Sequence, residues 1–247
     1  MLVKHALRDW IESQLSGLMP KDDPGVLARK LNAELRESRY FCDYSSDETR
    51  CPDDSQLGFV WEIKLEAPLA NFLVIRTSVG IQCGFDDSAY AYEWKGTTWS
   101  RFWESEQNKY VKKEYEPQHV EQVLVSPANF DSRADRTEHL VVTLGVMPWC
   151  ASNWRTIHCR VWQTKSSYAE PKSLLDESDE VFLGAERASV DVNDVLIEYA
   201  VGSIDSGVHN RREIRHYVVD RGAIKRIRPN RFKSPGFRRH LAPPSVE

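Results

Sequence analysis

Apolar positions in the first forty residues recur at three- and four-residue steps. Val3, Ala6, Leu7, Trp10, Ile11, Leu15 and Leu18 fall on one stripe, which predicts a helix over residues 2–18. Pro20 ends it. A second helix opens at Asp23, whose carboxylate can accept from the free amides, and at Pro24, which suits a first helical position where an N–H has no partner anyway. Leu27, Leu31 and Leu35 mark its buried face to about Ser38. With one stripe each, the two helices form a hairpin that must pack on something else.

After residue 56 the rhythm is that of strands. LGFVWEIKL (57–65) and NFLVIRTSVGI (71–81) are rich in β-branched and aromatic residues and lack helical spacing. SAYAYEW and TTWSRFWES then flank Lys95-Gly96, which predicts a two-residue hairpin turn with glycine at positive φ. Alternation puts Tyr90, Tyr92 and Trp94 on one face of the first strand. Trp99, Arg101 and Trp103 share a face of the second.

The series recurs. FLVIRTSVG (72–80), HLVVTLGVM (139–147) and DVLIEYAVG (194–202) align as long apolar strands. Each follows a strand-like piece (VWEIKLE, VEQVLVSP, RASVDV) and precedes two more: AYAYEW and TTWSRFWES, RTIHCRVWQ and SLLDESDEVFL, REIRHYVVD and AIKRIRP. The expected organisation is a helical hairpin cap (1–40), a Cys-bounded loop (41–55), a β-rich domain of three units (56–108, 118–183 and 186–230) and a basic, proline-containing tail (231–247). The fold class is mainly β, built of repeated four-stranded antiparallel meanders. Such repeats are the pattern of β-propeller blades. A β-sandwich, or an open meander sheet packed on the helices, is the alternative.

At residues 92–99, YEWKGTTW resembles a degenerate Asp-box of the sialidase-like propellers, Ser-x-Asp-x-Gly-x-Thr-Trp. Gly96, Thr98 and Trp99 match, while Tyr92 and Trp94 replace the serine and aspartate. VVDRGAIK (218–225) keeps only Asp220 and Gly222. The resemblance implies a strand-turn-strand corner and no catalysis, since Asp-boxes are structural turns. Three blades are too few for a closed ring, so such a chain stays open under its helices or completes its sheets with a partner.

Composition narrows the chemistry. Hydrophobic residues make up 41% and charged residues 28% of the 247, a globular balance, and no apolar run approaches the ~20 residues of a membrane-spanning helix. Met1 leads into an amphipathic segment and not into a signal peptide, which read literally is cytoplasmic. The cysteines favour an extracytoplasmic chain whose signal has been removed. Cys42–Cys51 and Cys150–Cys159 share one spacing and are disulfide candidates, the first closing a polar loop and the second flanking a hairpin.

No CxxC, HxxxH or HExxH spacing points to a metal, and no GxSxG, Walker loop or GxGxxG to a nucleophile or phosphate site, so no cofactor is expected. The carboxylate pairs Asp86-Asp87, Glu104 with Glu106, Asp176 with Asp179 and Asp191 with Asp194 have the spacing of glycosidase acids. Among 37 acidic residues they read as solvated side chains.

What remains is recognition. The leading expectation is a non-enzymatic module acting through protein contacts or self-association. Carbohydrate binding by exposed aromatics (Trp94, Trp149, Trp154) is the competing reading. Nucleic-acid binding ranks third. It rests on the basic stretch from His209 to Leu241, where eleven Arg or Lys stand against two acids, and no recognisable reading module accompanies that stretch.

Overall fold

The structure is a computed structural model and describes residues 2–37, 59–69, 71–81, 84–105, 118–127, 129–131, 136–148, 154–165, 170–182, 186–190, 193–201, 211–220 and 222–227. Two helices, α1 (Leu2–Leu15) and α2 (Pro24–Glu37), precede the strands. The stripe of α1 runs on to Leu18, but its helix stops three residues earlier, where a turn closes with Leu18 N–H donating to Leu15 O at 3.0 Å. The start of α2 is capped as expected, with Gly25 N–H donating to Asp23 Oδ1 at 2.8 Å. Leu31 and Leu35 on its inner face are buried.

Three antiparallel sheets follow, and none is closed. The first is a meander of β1 (Phe59–Leu69), β2 (Phe72–Ile81), β3 (Gly84–Trp94) and β4 (Trp99–Ser105). In the second, β7 (Arg136–Pro148), β8 (Trp154–Lys165) and β9 (Lys172–Phe182) pair in order. The outer edge of β7 is taken by β5 (Gln122–Val125) and β6 (Asn129–Asp131), with Pro127 between them. Proline donates no ladder hydrogen bond, so a strand broken there belongs at an edge. The third sheet runs β10 (Glu186–Val190), β11 (Asp194–Val201), β12 (Arg211–Asp220) and β13 (Ala223–Ile227).

Burial alternates along the inner strands and stacks the sheets face to face. On one side of the first sheet Ile63, Leu65, Leu73, Ile75, Tyr90 and Tyr92 meet Leu7, Ile11, Leu15, Leu31 and Leu35 of the helices. Its other side packs Val74, Ala89, Ala91 and Trp103 on Val123, Val125 and Val141 of the second sheet. The far side of that sheet places Leu140, Val142, Leu144, Ile157 and Val161 against Val195, Ile197, Tyr217 and Val219 of the third. The order of layers is helices, first sheet, second sheet, third sheet. Strands β2 and β7 therefore read as continuous apolar runs, because each is packed on both faces.

The aromatic hairpin departs from strict alternation. A bulge in β4 breaks its register with β3 between Ala91 and Tyr92. Trp99 and Arg101 face the helices, where Trp99 Nε1–H donates to Leu18 O at 2.8 Å and Arg101 pairs with Glu12 at 2.8 Å. Trp103 turns to the opposite side and meets Trp162 of the second sheet edge to face, with ring centroids 5.2 Å apart. The three residues therefore do not share a face: an extra residue in one strand reverses every side chain beyond it. The turn differs too. Four residues, 95–98, connect Trp94 to Trp99, with Gly96 at φ 87° and Lys95 N–H donating to Thr98 O at 2.9 Å. The likeness in the third sheet falls on the tight turn from Asp220 to Ala223, where Gly222 has φ 71°.

Candidate functional site

Two places concentrate polar chemistry. The first lies between the first and second sheets, where the extended segment 118–121 crosses. Asp87 N–H donates to Gln118 O (2.6 Å), Val120 N–H to Asp87 Oδ2 (2.8 Å), Gln118 N–H to Asp86 Oδ1 (3.2 Å) and Glu121 N–H to Leu144 O (2.9 Å). Arg76 donates to the carbonyls of Val120 and Glu121 and pairs with Glu66. Asp86 and Asp87 are each 3% exposed, not solvated as their spacing suggests. As neighbours on β3 they point to opposite faces: Asp86 toward α1, where it pairs with buried Lys4 at 2.6 Å, and Asp87 toward His119 at 3.0 Å.

Asp87 and His119 have the partners of a catalytic acid–imidazole pair but not the electrostatics. Burial of His119 disfavours its charge, yet contacts with Asp87 and Glu121, one on each ring nitrogen, outweigh that and raise its pKa to about 9. At neutral pH the ring is an imidazolium held between two carboxylates, with no lone pair to act as a base. The cluster is a clamp between sheets.

Because the folded pKa lies above the ordinary 6.5, the clamp's contribution is fully present below pH 6.5 and disappears as pH rises through about 9. Urea unfolding measured at pH 6 and pH 9.5 should differ by on the order of 3 kcal/mol from this group. In His119→Gln that difference should vanish; an unchanged profile would remove the clamp from the account.

The second place is the outer face of the third sheet. Residues of β12 and β13 that point inward are neutralised within the chain. Arg215 pairs with Glu177 (3.1 Å), Asp179 and Glu213 (2.9 Å), Arg226 with Glu213 (3.1 Å), and Tyr217 Oη–H donates to Glu177 (2.6 Å). Part of the basic stretch from His209 thus lies against the chain's own acids. Outward, β11 carries Leu196 and the same strands carry Ile214, His216, Val218 and Ile227, with His216 Nε2 3.1 Å from Asp194. Ile214 is 37% and Ile227 42% exposed, and no described element covers this face. The first sheet's outer face, in contrast, is buried under both helices.

Of the aromatic candidates, Trp94 is half-buried and stacks edge to face on Trp99 with centroids 5.4 Å apart. Trp154 opens β8 opposite Phe182, with its side chain outside the described part of the structure, and Trp149 lies outside the described residues altogether.

Cys159 corrects the second disulfide expectation: it is a free, buried thiol whose pKa burial pushes up to about 12. Its cross-strand neighbours are Leu144 and Glu177, and its side chain joins the core between the second and third sheets, so it serves as a small apolar residue there. Cys42, Cys51 and Cys150 lie outside the described residues.

Among the described residues no group of histidines, cysteines and acids has the arrangement of a metal site. No described helix is long and apolar enough to cross a membrane. No protein-family model matches the chain, and no curated protein or solved structure matches it at significant similarity.

Proposed function

We propose that the chain is a protein-contact module that works through the outer face of its third sheet. The observation that carries this reading is the inequality of the two ends of the stack. Helices α1 and α2 cover the first sheet, while the last sheet presents Leu196, Ile214, Val218 and Ile227 outward, two of them more than a third exposed. Large side chains left bare in a contiguous patch mark an interaction surface. The blade-like reading fits the same picture: the first and third sheets are four-stranded meanders in sequence order, the second has five strands because β5 and β6 share one edge of β7, and each packs its neighbour face to face. In such a stack the terminal face is where another sheet would continue the series.

A benzophenone amino acid placed at position 214 tests this directly. Irradiation in cells of the natural source should give a protein adduct. The same residue at position 19, exposed at the helix end of the stack, should give none. Equal labelling from both positions, or none from position 214, would overturn the reading.

A further inference from the structure

The joint between the first and second sheets holds a histidine toward each end, and the two have opposite surroundings. The backbone of His119 lies against Gly145 of β7, and His139 stands six residues earlier on the same strand, about 20 Å away at the rise of a strand. His119 carries a carboxylate at each ring nitrogen. His139 carries none. Its Nδ1 meets Ser126 O at 3.2 Å, and its Nε2 has no hydrogen-bond partner among the described residues. The residue is 2% exposed, and its ring is wedged against Phe72 and Phe102, with centroids 4.8 and 5.9 Å away. A carbonyl only accepts, so the proton of the neutral ring sits on Nδ1 and Nε2 presents a lone pair.

We infer that this joint is an acid-opened seam: a proton on His139 parts the two sheets at the Phe72–Phe102 end, while His119 keeps the other end closed. Protonation makes Nε2 a donor with no acceptor and sets a charge between two phenyl rings, a state that water relieves once the rings separate. Few charged groups face the ring. Glu93 of β3, opposite Phe72 in register, and Lys95 of the following turn act on it in opposite senses and pair with each other. The other strands around it contribute Phe72 from β2, Phe102 from β4 and Thr164 from β8, none of them charged. Glu138, next on β7, turns to the other face, where Gln163 donates to it.

Burial, aided by Lys95, outweighs the Ser126 contact and Glu93, and holds the pKa of His139 below the ordinary 6.5. The neutral ring's contribution is therefore present above pH 6.5 and lost as pH falls through the folded pKa. His119, with its pKa raised to about 9, stays charged throughout that range. Carboxylates as a class titrate near about pH 4. Between pH 6.5 and about pH 5, then, His139 changes its charge while the clamp at the far end keeps its own.

Relaxation dispersion of a 4-fluorophenylalanine at position 102 reads one end of the seam. Amide exchange at Val120, whose N–H donates to Asp87 Oδ2, reads the other. From about pH 6.5 to about pH 5 the open population at position 102 should grow by up to about tenfold per pH unit, the limit for one proton. Val120 should keep its protection once intrinsic exchange is corrected for. His139→Gln should abolish the growth. Lys95 is exposed, and Lys95→Ala takes a cation from beside the ring, so the rise should begin at higher pH. Glu93→Gln should move it lower. These two variants decide the matter if His139→Gln does not fold.

A population at position 102 that ignores pH, or one that grows equally in His139→Gln, overturns the inference. So does loss of Val120 protection in step with position 102, which means that the whole joint separates at once. Surface variants that leave the onset unmoved overturn it as well.

Discussion

Gly145→Ala should cost at least about 3 kcal/mol, and in the stronger case prevent folding of the second sheet onto the first. A Cβ at this position would lie 1.7 Å from the carbonyl oxygen of His119 and 2.6 Å from its carbon. Both atoms are backbone, so no rotamer change relieves the overlap. To separate them by a van der Waals distance the 118–121 segment has to move by on the order of 1 Å or more from β7. It is tied on both sides, by Glu121 N–H to Leu144 O and by Val120 N–H to Asp87, so the displacement breaks hydrogen bonds whose groups remain buried. Gly17→Ala is the matched control, because a Cβ there meets nothing within 4 Å. Urea midpoints of the two variants should differ widely, with Gly17→Ala close to the unaltered chain. Equal midpoints would mean the segment crosses β7 elsewhere.

The same glycine shows how far the sequence could be read. HLVVTLGVM announces a strand by its apolar run, and a lone glycine inside such a run is a signal of close backbone approach. What approaches, however, comes from a stretch twenty-odd residues earlier with no pattern of its own. The mid-sheet strands were legible for the opposite reason: Leu73–Ile75 and Leu140–Val142 are buried on both faces, and Val195–Ile197 is apolar at both parities, so composition alone marks them. Asp23-Pro24 was legible because capping is local.

The bulge in β4 was not, since Phe102 and Trp103 are both apolar and either could continue the alternation. Phe102 in fact faces the second sheet with Trp103, 5.7 Å from the ring of Phe72. The open face of the third sheet escaped notice because its strands carry apolar residues at both parities. Only the structure separates Val195 and Ile197, inside, from Leu196 and Val218, outside.

These positions share a physical feature. Each sheet is built from local hairpins, which sequence rhythm reports well, whereas the sheets are joined by contacts of long sequence separation. Trp103 on Trp162, Tyr217 on Glu177 and the 118–121 segment on β3 and β7 are of that kind. Such contacts depend on which of two faces a residue occupies, and one bulge is enough to invert the answer.

The buried pair Lys4–Asp86 is the strongest case, and its removal by halves should be far more damaging than its removal whole. Lys4 belongs to the buried stripe of α1, one turn before Leu7, and its ammonium meets Asp86 with both side chains about 5% exposed (6% and 4%). Lysine at a core position of a helix was the one sequence-level sign that an acid waits opposite. Asp86→Leu leaves an ammonium buried without its carboxylate, and leaves Gln118 N–H without its acceptor; a loss of about 3–5 kcal/mol is expected. Lys4→Met strands the carboxylate instead, but Asp86 keeps the hydrogen bond from Gln118 N–H, so its cost should be the smaller of the two. In the double variant no unpaired charge remains. The Gln118 amide is left unsatisfied, at about 1–2 kcal/mol. The double-mutant cycle, measured by urea unfolding, should therefore give a coupling of at least about 2 kcal/mol, with the double variant more stable than Asp86→Leu alone. Additive losses would mean that the two charges are solvated separately and that α1 is not held to β3 by this pair.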